Sequence, residues 1–130
     1  MRHKPAFYAP FLFMIFKECP FCHKSIFVLF YSFHIAKHTA LRPDGQMHDH
    51  ITLREEQRYD GSLKNVPQIY YHPKCGVQTC MPEEIIRSYL VNPNMYNEFS
   101  FCCGCNDYVH RKELFWTETD ECLDDYFKKL

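Results

Sequence analysis

Glycine is scarce in this chain of 130 residues, which contains only 4. The sequence lacks a glycine-rich loop that could cradle a phosphate, a nucleophile elbow and a nucleotide-binding motif, which disfavours the common nucleotide-dependent and hydrolytic enzymes. It also lacks an internal repeat, a low-complexity tract and any apolar run of the roughly 20 residues that a transmembrane helix needs. The length suits one ordinary domain or two very small ones.

The apolar run nearest the N-terminus covers residues 6–16. Pro10 interrupts it, no small-x-small cleavage site follows, and Lys17 and Glu18 come directly after it. A signal peptide or membrane anchor is therefore disfavoured. We expect a strand or irregular segment packed on the following module, and no membrane association.

Cysteine and histidine are unusually frequent, with eight of each. Such numbers in a short chain indicate either a disulfide framework or metal sites. Charge divides the chain: the first 43 residues carry six lysines and arginines against one glutamate, and the remainder is acidic. We predict a basic aromatic head over residues 1–43, a linker over 44–65 and a body over 66–130.

The first motif is a cysteine pair, Cys19 and Cys22, followed by His34 and His38. Two cysteines separated by two residues can grip zinc from one tight turn, and histidines four residues apart share one face of a helix. The order resembles the two-Cys, two-His zinc finger, which implies one zinc ion held by these four residues. The central gap of eleven residues is one shorter than usual, which bears on that family's hairpin-plus-helix geometry more than on zinc itself. An alternative replaces the two histidines by His48 and His50.

The second motif joins two distant turns. His72 and Cys75 are spaced like a zinc-binding cysteine pair, with Gly76 behind them to accept a left-handed turn, and Cys102 and Cys105 follow far along the chain. Two such turns resemble the zinc-ribbon or treble-clef arrangement. That resemblance implies a single tetrahedral site closed by His72, Cys75, Cys102 and Cys105.

Two other cysteines leave alternatives open. Cys80 could replace His72 as a ligand, and it precedes a helical pattern whose positive end could lower its pKa. We interpret it as a buried or peripheral thiol and not as a nucleophile. Cys103 sits between two proposed ligands, and adjacent residues in such a turn point apart, so we expect it to face the core or solvent.

The expected fold is a small, metal-stabilised α+β fold, with a one-helix finger-like head and a ribbon-like body of short antiparallel strands and two helices. Acidic residues early and lysines late in the last segment are typical of helix polarity. In such a helix, Leu123, Tyr126, Phe127 and Leu130 would form the buried face. Helices are predicted over residues 26–38, 82–91 and 119–130, and strands over 66–72, 98–102 and 108–116.

The apolar stretch 26–33 of the first predicted helix decides the functional hypothesis. It contains almost no polar side chain that could form a hydrogen bond with the edge of a base. A helix that is apolar all round is buried or meets a partner, so we expect a protein partner or a homo-oligomer through residues 26–33. Nucleic-acid binding of weak sequence preference is the alternative, because the head is basic.

Both proposed sites fill four positions with Cys and His, which is typical of structural zinc. We therefore expect two zinc ions in an intracellular, reducing compartment, and a protein-interaction or regulatory role. A small zinc- or thiol-dependent enzyme is a second alternative. His48 and His50 with Glu55 and Glu56 could supply acid-base groups, but no recognisable catalytic motif surrounds them, and we expect no enzymatic activity.

Overall fold

The computed structural model describes residues 15–130. Within this range lie three complete α-helices and three antiparallel sheets, one of three strands and two of two strands, which confirms the expected α+β class. The strands are β1 (Phe16–Glu18), β2 (Ser25–Phe27), β3 (Ile69–Tyr71), β4 (Gln78–Cys80), β5 (Phe99–Cys102), β6 (Asp107–His110) and β7 (Phe115–Trp116). The helices are α1 (Tyr31–Thr39), α2 (Glu83–Tyr89) and α3 (Leu123–Lys128).

The chain forms two compact units. The smaller unit is described over residues 15–40 and 47–50, and the larger unit comprises 41–46 and 51–130. Over residues 15–130, no helix has both the length and the apolar content needed to cross a bilayer. The segment predicted over residues 6–16 falls mostly outside the described residues, and Phe16 begins β1.

In the smaller unit, a two-stranded hairpin precedes the helix. Strands β1 and β2 pair antiparallel, and the chain reverses between them through residues 19–24. The backbone amide of Cys19 donates to the Lys24 carbonyl at 2.9 Å, and that of His23 donates to the Cys19 carbonyl at 2.7 Å. His23 has a φ of 65°, in the left-handed region that a tight reversal requires.

The prediction of a helix over residues 26–38 was wrong at its beginning. Strand β2 and a following 3₁₀ turn (Val28–Phe30) occupy the first positions, and the helix begins at Tyr31. Phe27 of β2 lies opposite Phe16 of β1, with ring centroids 5.6 Å apart. Such cross-strand pairs stabilise a hairpin. A prediction made from residues 26–38 alone does not include the pairing of this segment with β1.

The larger unit is built on a three-stranded sheet in which β3 lies between β4 and β7. Tyr70 of β3 pairs with Trp116 of β7, and their rings meet edge to face at 5.9 Å. The Tyr70 hydroxyl donates to the carbonyl of Phe101 on β5 at 2.5 Å. This bond ties the sheet to the separate β5–β6 hairpin. The buried core consists of Tyr70, Met81, Ile86, Tyr89, Leu114, Trp116, Leu123 and Phe127.

The predicted strands and helices of the body differ from the structure mainly at their ends. Strand β4 was not predicted, and the strand predicted over residues 108–116 is divided by a 3₁₀ turn (Arg111–Glu113). The imidazole of His110 accepts a hydrogen bond from the Lys112 amide at 3.1 Å and so caps this turn. A cap of this kind ends the strand locally.

The buried face predicted for the last helix is correct for three of its four residues. Leu123 and Phe127 are buried, and Tyr126 packs against the core. Leu130 is 47% exposed, because α3 ends before it, at Lys128. The helical spacing on which the prediction rested does not continue to that residue.

Part of the segment predicted as a linker packs within the larger unit. Thr52 is 7% exposed, and the Leu53 amide donates to the hydroxyl of Ser88 on α2 at 2.9 Å. The Tyr96 hydroxyl donates to the Ile51 carbonyl. Polar contacts therefore hold residues 51–53 in place. Apolar periodicity in the sequence does not reveal such contacts.

Candidate metal centres

The smaller unit brings together the four residues of the first motif. Site A is defined as Cys19, Cys22, His34 and His38, whose candidate ligand atoms all lie within 4.8 Å of one another. The cysteines come from the β1–β2 turn, and the histidines lie one helical turn apart on α1. Side chains four residues apart on a helix lie above one another, so both rings reach the same point.

Site A is compact. The sulfur of Cys22 lies 3.2 Å from Nε2 of His34, and that nitrogen lies 3.1 Å from Nε2 of His38. The backbone amide of Phe21 points at the Cys19 sulfur at 3.4 Å, as amides in a metal-binding turn do towards thiolates. The Phe21 ring also stacks on the His38 ring, with centroids 4.9 Å apart and planes 7° from parallel.

The electrostatics of site A favour the metal-binding form of His34. The pKa of His34 is lowered, first by partial desolvation and then by the neighbouring His38 and two lysines. A lowered pKa keeps the imidazole neutral, and only the neutral ring has a lone pair to give to a metal.

The larger unit brings together the four residues of the second motif. Site B is defined as His72, Cys75, Cys102 and Cys105, whose ligand atoms also lie within 4.8 Å of one another. The first two come from the β3–β4 turn and the other two from the β5–β6 turn. Nδ1 of His72 lies 3.6 Å from the Cys102 sulfur and 3.4 Å from that of Cys105, and the sulfurs of Cys75 and Cys102 are 3.5 Å apart.

In each turn of site B, backbone hydrogen bonds reverse the chain and place its two ligand side chains on the same side. In the first turn the amides of Cys75 and Gly76 both donate to the His72 carbonyl, at 3.1 and 2.7 Å, and Gly76 has a φ of 74°. In the second turn the Asn106 amide donates to the Cys102 carbonyl at 2.9 Å. The two reversals have the same form, although the first begins with histidine and the second with cysteine.

Gly104 is required by close packing and not by a positive φ. A Cβ atom added there would lie 2.4 Å from the sulfur of Cys75 and 2.8 Å from the side chain of Val77. Real Cβ atoms do not approach so closely. The absence of a side chain at this position is what lets the second turn reach the thiol of the first.

Two thiols of site B, Cys75 and Cys105, differ in acidity. The Val77 amide, followed by the neighbouring donors, lowers the pKa of Cys75. Desolvation, and then the adjacent thiols Cys102 and Cys75, raise the pKa of Cys105 to about 11. Crowded thiolates repel one another, whereas a bound cation favours the ionised form of every sulfur around it. The donor set is therefore suited to a positively charged ion.

The distances fit a four-coordinate ion. Metal–sulfur bonds of about 2.3 Å and metal–nitrogen bonds of about 2.0–2.1 Å in a tetrahedron place the ligand atoms roughly 3.3–3.8 Å apart. The separations between donor atoms in site B, 3.4–3.6 Å, fall within this range, and two separations in site A, 3.1 and 3.2 Å, lie slightly below it. Each group could hold one metal ion.

The residues considered as alternative ligands lie outside both groups of donors. Nδ1 of His48 is 3.0 Å from the carboxylate of Asp49, and the Cys80 sulfur is oriented towards the Met81 carbonyl at 3.9 Å. Cys103 is exposed, and its amide donates to the Thr79 hydroxyl at 3.1 Å. All eight cysteines are free thiols.

Sequence reasoning missed two carboxylates beside the sites. Asp49 accepts a hydrogen bond from Nδ1 of His38 at 2.9 Å, and Glu113 accepts one from Nε2 of His72 at 3.2 Å. Asp49 stands between the two histidines, His48 and His50, that were weighed as ligands. No spacing rule signals such a partner, because a hydrogen bond to a ligand ring can come from any nearby segment.

Comparisons with family models, with curated proteins and with solved structures found no match for this chain. The functional argument therefore rests on the geometry of the two sites and on the surface of the molecule.

Proposed function

We propose that this protein binds two structural zinc ions, one at site A and one at site B, and acts as a protein-interaction module. The observation that carries the proposal is the convergence of four Cys and His donors at each of two separate places. Metal binding through thiolates requires reduced cysteines, so the proposal includes a reducing, intracellular compartment.

The donor chemistry favours zinc among the common metals. Mixed thiolate and imidazole sets in a tetrahedral arrangement suit zinc, whereas calcium and magnesium require oxygen ligands. Site A offers two sulfurs and two nitrogens, and site B offers three sulfurs and one nitrogen. Cobalt or iron could enter the same sites, so metal identity is the first quantity to measure.

Closed coordination favours a structural role over a catalytic one. Catalytic zinc keeps one position for water or substrate, whereas four protein ligands leave none. In site A, the order of hairpin and helix supports the resemblance to a two-Cys, two-His finger. In site B, the two paired turns support the resemblance to a zinc ribbon.

Metal analysis of the purified chain tests the two-site proposal. Elemental analysis should find two zinc ions per native chain, one in Cys22→Ser and one in Cys105→Ser. Cys80→Ser is the matched control, because it removes an exposed thiol that belongs to neither group. A native chain without zinc, or a control that loses metal as the ligand variants do, would contradict the proposal.

An exposed apolar stripe supports the interaction role. Leu29, Phe30 and Phe33 are 70%, 62% and 73% exposed. Leu29 and Phe30 lie in the 3₁₀ turn that precedes α1, and Phe33 lies in the first turn of α1, so the three side chains form one exposed apolar stripe at the start of the helix. An apolar groove of a partner protein could accept such a stripe. The metal would hold this segment in shape beforehand, which reduces the conformational entropy lost on binding. The partner we propose is a different protein that carries such a groove.

The test compares two substitutions that each place a negative charge at an exposed apolar position. Phe33→Asp should abolish binding of a purified partner in a calorimetric titration while retaining two zinc ions. Leu41→Asp, at a leucine that is 68% exposed in the larger unit, should leave that binding unchanged. Light scattering that shows a dimer of the native chain, lost in Phe33→Asp, would replace the separate partner by a second copy. Equal partner binding by both variants would refute the proposal that the stripe binds the partner.

A further inference from the structure

We infer that Asp49 and Glu113 are positioning residues of the two metal sites, each holding one ligand histidine by the ring nitrogen that faces away from the metal. The inference rests on the proposed zinc sites and adds two residues that lie outside both ligand motifs. It also assigns the nitrogen through which each of these two histidines binds.

Asp49 is attached to His38 at two points. Its carboxylate lies 2.9 Å from Nδ1 of His38, and its backbone amide donates to the His38 carbonyl at 3.0 Å. Nε2 of the same ring points to the other donors of site A, 3.1 Å from Nε2 of His34. The His38 side chain is only 15% exposed, so few other orientations are open to it.

Glu113 has the same relation to His72, with the ring reversed. Its carboxylate lies 3.2 Å from Nε2 of His72, whereas Nδ1 faces the sulfurs of Cys102 and Cys105. The His72 side chain is 3% exposed. Site B therefore binds its metal through Nδ1 of histidine, and site A binds through Nε2 of His38.

A carboxylate at the outer nitrogen has two physical effects on a ligand imidazole. It accepts the N–H of one tautomer, which leaves the lone pair of the other nitrogen directed at the metal. It also makes that nitrogen a better electron donor. Loss of such an outer partner typically lowers metal affinity by about 10–100-fold.

The chain contains a matched control. Glu98 accepts a hydrogen bond from Nε2 of His110 at 3.2 Å, the distance of the Glu113 pair, and His110 belongs to neither metal site. Replacing Glu98 removes a carboxylate from a histidine without touching a ligand.

The affinity experiment uses chelator competition with zinc. In chains carrying Cys105→Ser, which leaves site A, Asp49→Ala should weaken zinc binding by about 10–100-fold. Asp49→Asn should recover part of the loss, because its amide oxygen still accepts a hydrogen bond. In chains carrying Cys22→Ser, which leaves site B, Glu113→Ala should have the same effect. Glu98→Ala should change neither affinity.

A second experiment does not depend on affinity or on the ligand knockouts. Nitrogen-15 NMR of the zinc-saturated native chain should show a protonated Nδ1 on His38 and a protonated Nε2 on His72. The proton on Nδ1 of His38 should exchange with water faster in Asp49→Ala, and that on Nε2 of His72 in Glu113→Ala.

The outcomes separate the two proposals. A native chain that takes up no zinc refutes the proposed function. A chain that binds two zinc ions refutes the inference alone if His38 binds through Nδ1, if His72 binds through Nε2, or if the alanine variants match the Glu98→Ala control.

Discussion

The two units differ most in what lies inside them. Among the described residues of the smaller unit, only Cys19 is buried, and it belongs to site A. The larger unit has eight buried residues clustered around Trp116, in addition to site B. The same kind of donor set therefore has two structural roles. In the described part of the smaller unit the donor set occupies the place of a core, and in the larger unit it supplements a core.

The physical reason lies in the number of apolar side chains that each unit can enclose. A unit that comprises only residues 1–40 and 47–50 has too much surface for its volume to bury a sufficient core, so a metal or another crosslink must stabilise it. Among its described residues, Leu29 and Phe33 remain exposed. The apolar stripe and the metal site are thus two consequences of small size.

Removal of metal should give the largest difference between the units. With a strong chelator, we expect the smaller unit to lose its fold, because the metal-binding energy is its folding energy. The core around Trp116 should persist. Amide hydrogen exchange should report fast exchange in α1 and slow exchange in β3. Trp116 is the only tryptophan, so its fluorescence follows the larger unit alone.

Restoring zinc is the control for this experiment, and it should return the protection of α1. The comparison would fail if both units unfolded together on chelation, or if α1 stayed protected without metal. Either result would mean that site A does not take the place of a core.

A pair of glycine substitutions sharpens the comparison within the larger unit. Gly104→Ala should weaken zinc binding at site B beyond the roughly 10–100-fold typical of losing an outer hydrogen bond, because its Cβ would overlap the Cys75 sulfur. Gly76→Ala meets no atom within 4 Å, and only its positive φ opposes it, at a cost of about 1–2 kcal/mol.

Metal titrations of both variants, with thermal unfolding alongside, measure the two effects. Site A should bind zinc normally in each. Equal metal affinity of Gly104→Ala and Gly76→Ala at site B would show that the close approach of Gly104 to the thiol is not required.

The smallest predicted effect concerns acid and the larger unit. Asp124 is 2% exposed and pairs with Lys128 at 2.9 Å and Arg111 at 3.3 Å. Lys128 first, and then Arg111, lower the pKa of Asp124 below its usual 3.8. A lowered folded-state pKa contributes stability above pH 3.8 that is lost as the pH falls through the folded value.

Asp124→Asn should therefore be less stable than the native chain at pH 6. The difference between their free energies of unfolding should become smaller below pH 3.8. Urea unfolding followed by Trp116 fluorescence measures it. Acid also releases zinc, but it does so in both proteins, so their difference isolates Asp124. A gap that stays constant between pH 6 and pH 3 would show that this ion pair does not stabilise the unit.

Much of the candidate site was accessible to sequence reasoning. Ligand spacing is a local property: two residues between cysteines make a turn, and four positions between His34 and His38 make a helical face. The structure brings the proposed donors together within each unit. The start of α1, strand β4 and the packing of residues 51–53 were not accessible, because each depends on contact with another segment: β2 pairs with β1, β4 pairs with β3, and Leu53 bonds to Ser88.

The sequence by itself determined which atoms could bind metal, since each pair of thiols or imidazoles at these spacings lies on one side of a turn or a helix. Only the tertiary structure decided what surrounds them. It placed Asp49 behind His38, Glu113 behind His72 and Gly104 against the sulfur of Cys75. These contacts depend on the distance and direction between atoms in space. Because residues from unrelated segments can make them, no local sequence pattern predicts them.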